Sequence, residues 1–117
     1  MTVTNLTRNT VLCSHAQLAD SFVARARGLL GRKALTAGQG LVITRCNSIH
    51  MFFMKFPIDA VFVDRQGKVV GLVENILPNR LSPIFWSAER VIEIPPGSIN
   101  TTATALGDVV EINLQCK

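Results

Sequence analysis

"CNSIHMFFMKFPIDAVFVD", residues 46–64, decides how this chain is read. Its second part, Ile58 to Asp64, is β-branched and aromatic. "DRQGK" (64–68) and "VVGLV" (69–73) follow it, so the stretch predicts a buried strand, a tight turn with Asp64 as turn former, and a returning strand. Gly67 is free to take the positive φ that such a turn requires. The first part, Cys46 to Met54, mixes thiol, amide, imidazole and thioether groups with aromatic rings, and is either core or site.

On the N-terminal side, residues 2–6 and 10–15 have short β-favouring runs separated by "TRN", which predicts an opening hairpin. In "ADSFVARARGLLGRK" (19–33) the period changes. Phe22, Ala26, Leu29 and Leu30 share one side of a helical wheel, flanked by Arg25, Arg27 and Arg32 as solvated charges. Asp20 or Ser21 can cap this helix and Gly31 suits a left-handed exit, so it should run from about residue 21 to 30. "TAGQG" is a flexible connection and "LVIT" a buried strand.

On the C-terminal side, "ILPNRLSPIFWSAE" (76–89) reads as a long loop docked through Trp86. "RVIEI" (90–94) is a strand, closed by a "PPGS" turn, with Glu93 either its solvent-facing member, the safer reading, or an inward carboxylate that needs a partner. "INTTATAL" is a short helical turn and "GDVVEINL" (107–114) a final strand. The expected fold is mainly β (α+β): a compact β-barrel or sandwich-like single domain, residues 1–117, with seven or eight short strands and one N-terminal amphipathic helix.

Composition narrows the function classes. Apolar residues are 48% of the 117 and charged residues 17%, which fits a folded core rather than a disordered tail. Lys55 and Asp59 interrupt the most apolar region, so no membrane insertion is expected. "MTVTNLTRNTVLC" lacks an export signal's basic and apolar regions, which points to a soluble, cytoplasmic chain. The net charge of +4 is scattered and Tyr is absent, so nucleic acid is not an expected partner. Cys13, Cys46 and Cys116 have no zinc-knuckle or disulfide-framework spacing and are expected to be reduced.

The candidate site comprises Cys46, Asn47, Ser48, His50, Met54 and Asp59, a few polar groups beside Phe52, Phe53 and Phe56 as in ligand pockets. Two sharper chemistries use the same segment. One is a hydrolase-like arrangement, with Cys46 as nucleophile, His50 as base and Asp59 as its orienting carboxylate, although no Gly-rich elbow surrounds Cys46. The other is a soft-metal site from Cys46, His50, Met51 and Met54. In an extended strand Cys46 and His50 would lie about 13 Å apart, so either chemistry needs a turn at Asn47-Ser48. Otherwise Met51 and Met54 fill core, His50 is a hydrogen-bonded histidine near the core, and Asp59 serves a structural hydrogen bond. Phe56-Pro57 is a position where a cis peptide bond is affordable.

"ADSFVARARGLLGR", "CNSIHMFFMKFPIDAVFVD", "ILP", "VIEIPPGS" and "LGDVVEI", in this order, resemble the bacterial and archaeal family called domain of unknown function 192, from about Val11 to Ile112. The resemblance implies a mostly β, barrel-like domain with a packed helix near its start, in a bacterial protein. It implies no reaction, no catalytic residue and no cofactor. Many members of that family carry an export signal or membrane segment ahead of the domain, and here the first strand starts directly. The family's central block often has Thr after the His and Arg after the Met; this chain has Met51 and Lys55. The expectation is a binding or accessory module with a small-molecule or protein partner, a site at one end of the barrel, and no metal or other cofactor.

Overall fold

The structure, a computed structural model, describes residues 1–113 except for the side chain of Phe22. Cys116, Leu114 of the expected last strand, and the Phe22 ring expected on the helix stripe lie outside the described residues. In chain order the elements are β1 (Thr2–Asn5), β2 (Thr10–Cys13), β3 (His15–Ala19), α1 (Phe22–Arg27), β4 (Gln39–Thr44), β5 (Ile58–Val63), β6 (Val69–Ile76), β7 (Arg90–Ile94), α2 (Ser98–Thr101) and β8 (Val110–Asn113). They form a three-stranded sheet, β2-β1-β8, and a five-stranded sheet, β3-β4-β7-β5-β6. The fold is mainly β, as expected. The barrel is corrected: an isolated Lys68–Val109 bridge and a hydrogen bond from the Ala16 N–H to the Met1 carbonyl tie the sheets without closing one.

The larger sheet is covered on both faces, which is why all six residues of β5 are buried. Side chains alternate across it. Ile58, Ala60 and Phe62 enter one core with Leu41, Ile43 and Val91; this core also takes Leu29, Leu35, Ile49, Met51 and Phe56 from the connecting segments. Val61 and Val63 enter the other with Val42, Ile92 and Ile94, against Val3, Leu12 and Val110 of the smaller sheet. Each fully buried large aliphatic or aromatic side chain stabilises the fold by about 1.5–3 kcal/mol, so the alternation along β5 binds both layers to one strand. The hairpin between β5 and β6 forms with Gly67 at φ +86° and the Gly67 N–H donating to the Asp64 carbonyl at 3.0 Å.

α1 begins as its sequence predicts, with Ser21 Oγ accepting the Ala24 N–H at 3.1 Å. It stops earlier than expected, at Arg27, because Gly28 takes φ +51° and returns its N–H to the Ala24 carbonyl. That break turns Leu29 into the core and leaves a helix of 6 residues that follows three strands. β3 escaped the sequence reading. "HAQLA" is an edge strand with only two of five residues buried, so its apolar signal is weak. It pairs parallel with β4, and a parallel pair needs a crossover; α1 lies in that crossover and covers the sheet.

Further expectations are corrected by packing. One expectation beside them stands, since the short helical turn forms as the four-residue α2. Trp86 does not dock the long loop; it is 81% exposed. Its neighbour Phe85 does so, with its ring 4.6 Å from that of Phe62 and lying over Gly71, where a Cβ would collide with the ring. Glu93, expected outward, is inward, since β7 has covered neighbours on both sides and both faces. The Phe56-Pro57 bond is trans. Among the described residues no helix is long and apolar enough to cross a membrane.

Near the chain ends, Asn5 Nδ2 donates to Thr104 Oγ1 and Asp108 Oδ2, and Arg8 Nε donates to the same carboxylate at 3.0 Å. Burial alone would raise the Asp108 carboxyl. Hydrogen bonds from Asn5, Arg8 and Ala105, with the Arg8 charge, outweigh it and hold the group below the usual carboxylate range.

Candidate functional site

β4 ends at Thr44 and the chain leaves the sheet at once: Arg45 takes φ +50° and bends occur at Arg45 and Asn47. Residues 46–49 are therefore not strand, and the separation that an extended segment would impose on Cys46 and His50 does not apply. The segment is held by Cys46 N–H to the Glu89 carbonyl, Ile49 N–H to Ser82 Oγ at 2.8 Å, Met51 N–H to the Arg80 carbonyl, and an isolated His50–Leu81 bridge. The 46–54 segment and the 77–89 loop thus fix each other, and between the 46–54 segment and α1 lies a cavity over the sheet.

That cavity has a volume of about 130 Å³. One wall is α1 and the turn after it, with Arg25, Arg27 and Leu29; the other is Cys46, Ser48, His50 and Met54. Ile43 and Glu93 come from the sheet beneath. Of the six expected site residues, four therefore line one space. Asn47 does not line it; its carbonyl accepts the Phe85 N–H at 2.9 Å.

Asp59 lies elsewhere. It pairs with Ile94 in the register of β5 and β7 and shares the parity of Val61 and Val63, so it faces the inter-sheet core while the cavity sits on the opposite face. Both its oxygens are used: Oδ1 accepts the Asn75 N–H at 2.8 Å and Oδ2 the Ile99 N–H at 2.9 Å. The first holds a left-handed residue of β6 (φ +50°); the second serves a free N–H in the first turn of α2. The geometry gives Asp59 a structural hydrogen-bonding role, with no link to His50.

Glu93 is the group the sequence reading placed on the wrong face. It stands opposite Leu41 and Ala60 in the sheet register, on the helix-side face with Val91. It is 6% exposed, its carboxyl opens on the cavity rather than being sealed in the core, and no hydrogen bond joins it to another of the described residues. Burial pushes the carboxyl up to about 7. A sequence signal existed: flanking Ile92 and Ile94 share the other face, so Glu93 follows Val91, and only a doubly covered sheet makes both faces internal.

Cys46 is half-buried, and its Sγ donates to the Ser48 carbonyl at 3.1 Å. Burial raises its thiol, the Ser48 hydrogen bond lowers it, Glu93 raises it and Arg25 lowers it, with a net rise. The chemistry on offer is that of a protonated thiol between a carboxyl and a guanidinium, which is a poor resting nucleophile. His50 is exposed, with Nδ1 accepting the Phe52 N–H at 3.3 Å and its ring 5.1 Å from Phe52. Met51 is 1% exposed and packs in the core. No group of three His, Cys, Asp or Glu residues among the described residues is placed to hold a metal ion. Iodoacetamide at pH 7 is expected to alkylate Cys46 at least about tenfold more slowly in the native than in the unfolded protein, followed by peptide mass spectrometry. Equal rates would reveal an accessible, activated thiolate.

Fold and cavity together define a small, mainly β protein in which a doubly covered sheet carries a buried carboxyl beneath an arginine-flanked pocket. The chain belongs to the DUF192 family, described as an uncharacterized ACR, whose profile matches residues 3–112. It is 33% identical over 111 residues to a UPF0127 protein of the archaeon Thermococcus sibiricus, covering 92% of this chain and 71% of the relative. It is likewise 33% identical over 112 residues to a UPF0127 protein of Pyrococcus horikoshii, covering 93% and 96%. These curated relatives are archaeal, where a bacterial setting was expected. A crystal structure of a protein of unknown function from Novosphingobium aromaticivorans is similar at a TM-score of 0.79 and 25% identity, covering 95% of this chain and 82% of that one.

Proposed function

We propose that the chain is a single-domain, cytoplasmic binding or accessory module that takes a small molecule in the cavity between α1 and the 46–54 segment. The observation that carries this reading is Glu93: a carboxyl that reaches a cavity with no protein partner is costly, and a ligand can supply the missing hydrogen bond or charge. Cys46, Ser48, His50 and Met54 form one side of the site, with Arg25 and Arg27 on the other. A Cys46 hydrolase finds less support, because the Cys46 thiol is raised and Asp59 is engaged on the other face of the sheet.

Thermal unfolding against a panel of small organic acids, amines and amino acids tests it. At least one compound is expected to raise the midpoint saturably, and Ala26→Trp, an exposed helix position at the cavity, is expected to remove that shift while leaving the fold intact. A panel with no saturable shift in the parent protein would overturn the reading.

A further inference from the structure

We propose that the ligand is a small zwitterion of amino-acid type, its ammonium group meeting Glu93 at the closed end of the cavity and its carboxylate meeting Arg25 and its neighbouring guanidiniums at the rim. This rests on the binding reading above and names its ligand class.

The polarity of the cavity runs in one direction. Glu93 rises from the sheet and is 6% exposed, whereas Arg25 is half-buried and Arg27 and Arg45 are exposed, so the acid is deep and the cations are shallow. Arg25 has no ion pair among the described residues, and Arg45 spends only one guanidinium nitrogen on the Asp20 carbonyl at 3.1 Å. The acid and the guanidiniums therefore do not satisfy each other. A ligand with one anionic end would leave Glu93 unpaired, and one with a single cationic end would leave the rim unused. A molecule with both ends meets both demands, because guanidinium recognises carboxylate through paired N–H donors while a compact ammonium suits a lone carboxylate. Ile49 and Met54 supply an apolar flank, and about 130 Å³ is close to the roughly 150 Å³ that holds a benzene-sized molecule. One free amino acid is of the size this space takes.

The titratable and charged groups that line the cavity with Glu93 are Cys46 and Arg45 after β4, Arg25 and Arg27 of α1, and His50 of the 46–54 segment, of which Cys46 feels the Glu93 charge; its sheet neighbours Leu41 and Ala60 are apolar. An ammonium ligand needs Glu93 ionised, and burial holds that carboxyl near 7 in the empty protein. Affinity should therefore rise with pH as Glu93 loses its proton, by about tenfold between pH 6 and pH 8 for a group titrating midway.

Calorimetric titration of the full chain with L-valine, isovalerate and isobutylamine at pH 6 and pH 8 tests the proposal, since the second lacks the ammonium and the third the carboxylate. L-Valine is expected to bind most tightly, about tenfold more so at pH 8, releasing a proton at pH 6. Glu93→Gln should abolish the pH dependence, and Arg25→Gln should weaken L-valine while leaving isobutylamine unchanged. Isovalerate binding as tightly as L-valine and weakening as pH rises would overturn the zwitterion while leaving a small-molecule site. Isobutylamine matching L-valine would do the same. Failure of all three to bind would also overturn the ligand class, and the wider panel then decides separately whether the cavity binds anything.

Discussion

Asp59→Ala is expected to lower the free energy of unfolding by about 3–5 kcal/mol, measured by urea denaturation at neutral pH, because each hydrogen bond to a charged group is worth about 1.5–3 kcal/mol and two are lost. The Asp59 carboxylate accepts the Asn75 and Ile99 N–H groups at 2.8 and 2.9 Å. Removing it leaves a first-turn N–H of α2 buried without an acceptor and releases the irregular end of β6. Asp59→Asn keeps one acceptor oxygen and should lose about half as much. Ligand binding by the folded fraction should be unchanged. A loss below about 1 kcal/mol would refute the structural role and return Asp59 to the list of functional candidates.

The second large effect is a dependence of stability on pH through Glu93. Its carboxyl is raised from 4.5 to about 7 by burial, so between those values the folded chain holds a proton that the unfolded chain has released. The contribution is fully present below about pH 4.5 and is lost as pH rises through about 7. Its size is on the order of 3 kcal/mol, at 1.36 kcal/mol for each pH unit of difference. Glu93→Gln removes the titration, so its stability between pH 5 and pH 8 should be nearly flat where that of the parent chain falls. Parallel profiles for the two proteins would sink the assignment. Asp108, held low by Asn5, Arg8 and Ala105, acts oppositely: its contribution is lost as pH falls below the usual carboxylate range, which lies outside that interval.

The legible features of the sequence are those with a local cause. "IDAVFVDRQGKVVGLV" contains its own strand, turn and returning strand, and Gly67 occupies the left-handed position that a turn of that kind needs. The opening hairpin and the Ser21 cap are likewise set by neighbours in the chain. Where the sequence reading failed, the cause was a partner distant in sequence. β3 has too few apolar residues to announce a strand and exists because β4 offers it a parallel edge. Phe85 rather than Trp86 docks the 77–89 loop because Gly71, far along the chain, leaves room for a ring.

The candidate site divides in the same way. The residue types between Cys46 and Met54 marked it, and the bends at Arg45 and Asn47 bring Cys46, Ser48, His50 and Met54 to one cavity. By itself the sequence determined the strands other than β3, the central hairpin, the cap of α1 and the family resemblance, since periodicity, turn chemistry and short motifs act over a few residues. Only the tertiary structure decided which face of the sheet each acid takes. Both faces of the larger sheet are covered, so alternation along β5 and β7 sends Asp59 into the inter-sheet core and Glu93 under the helix, and no local pattern distinguishes two interiors.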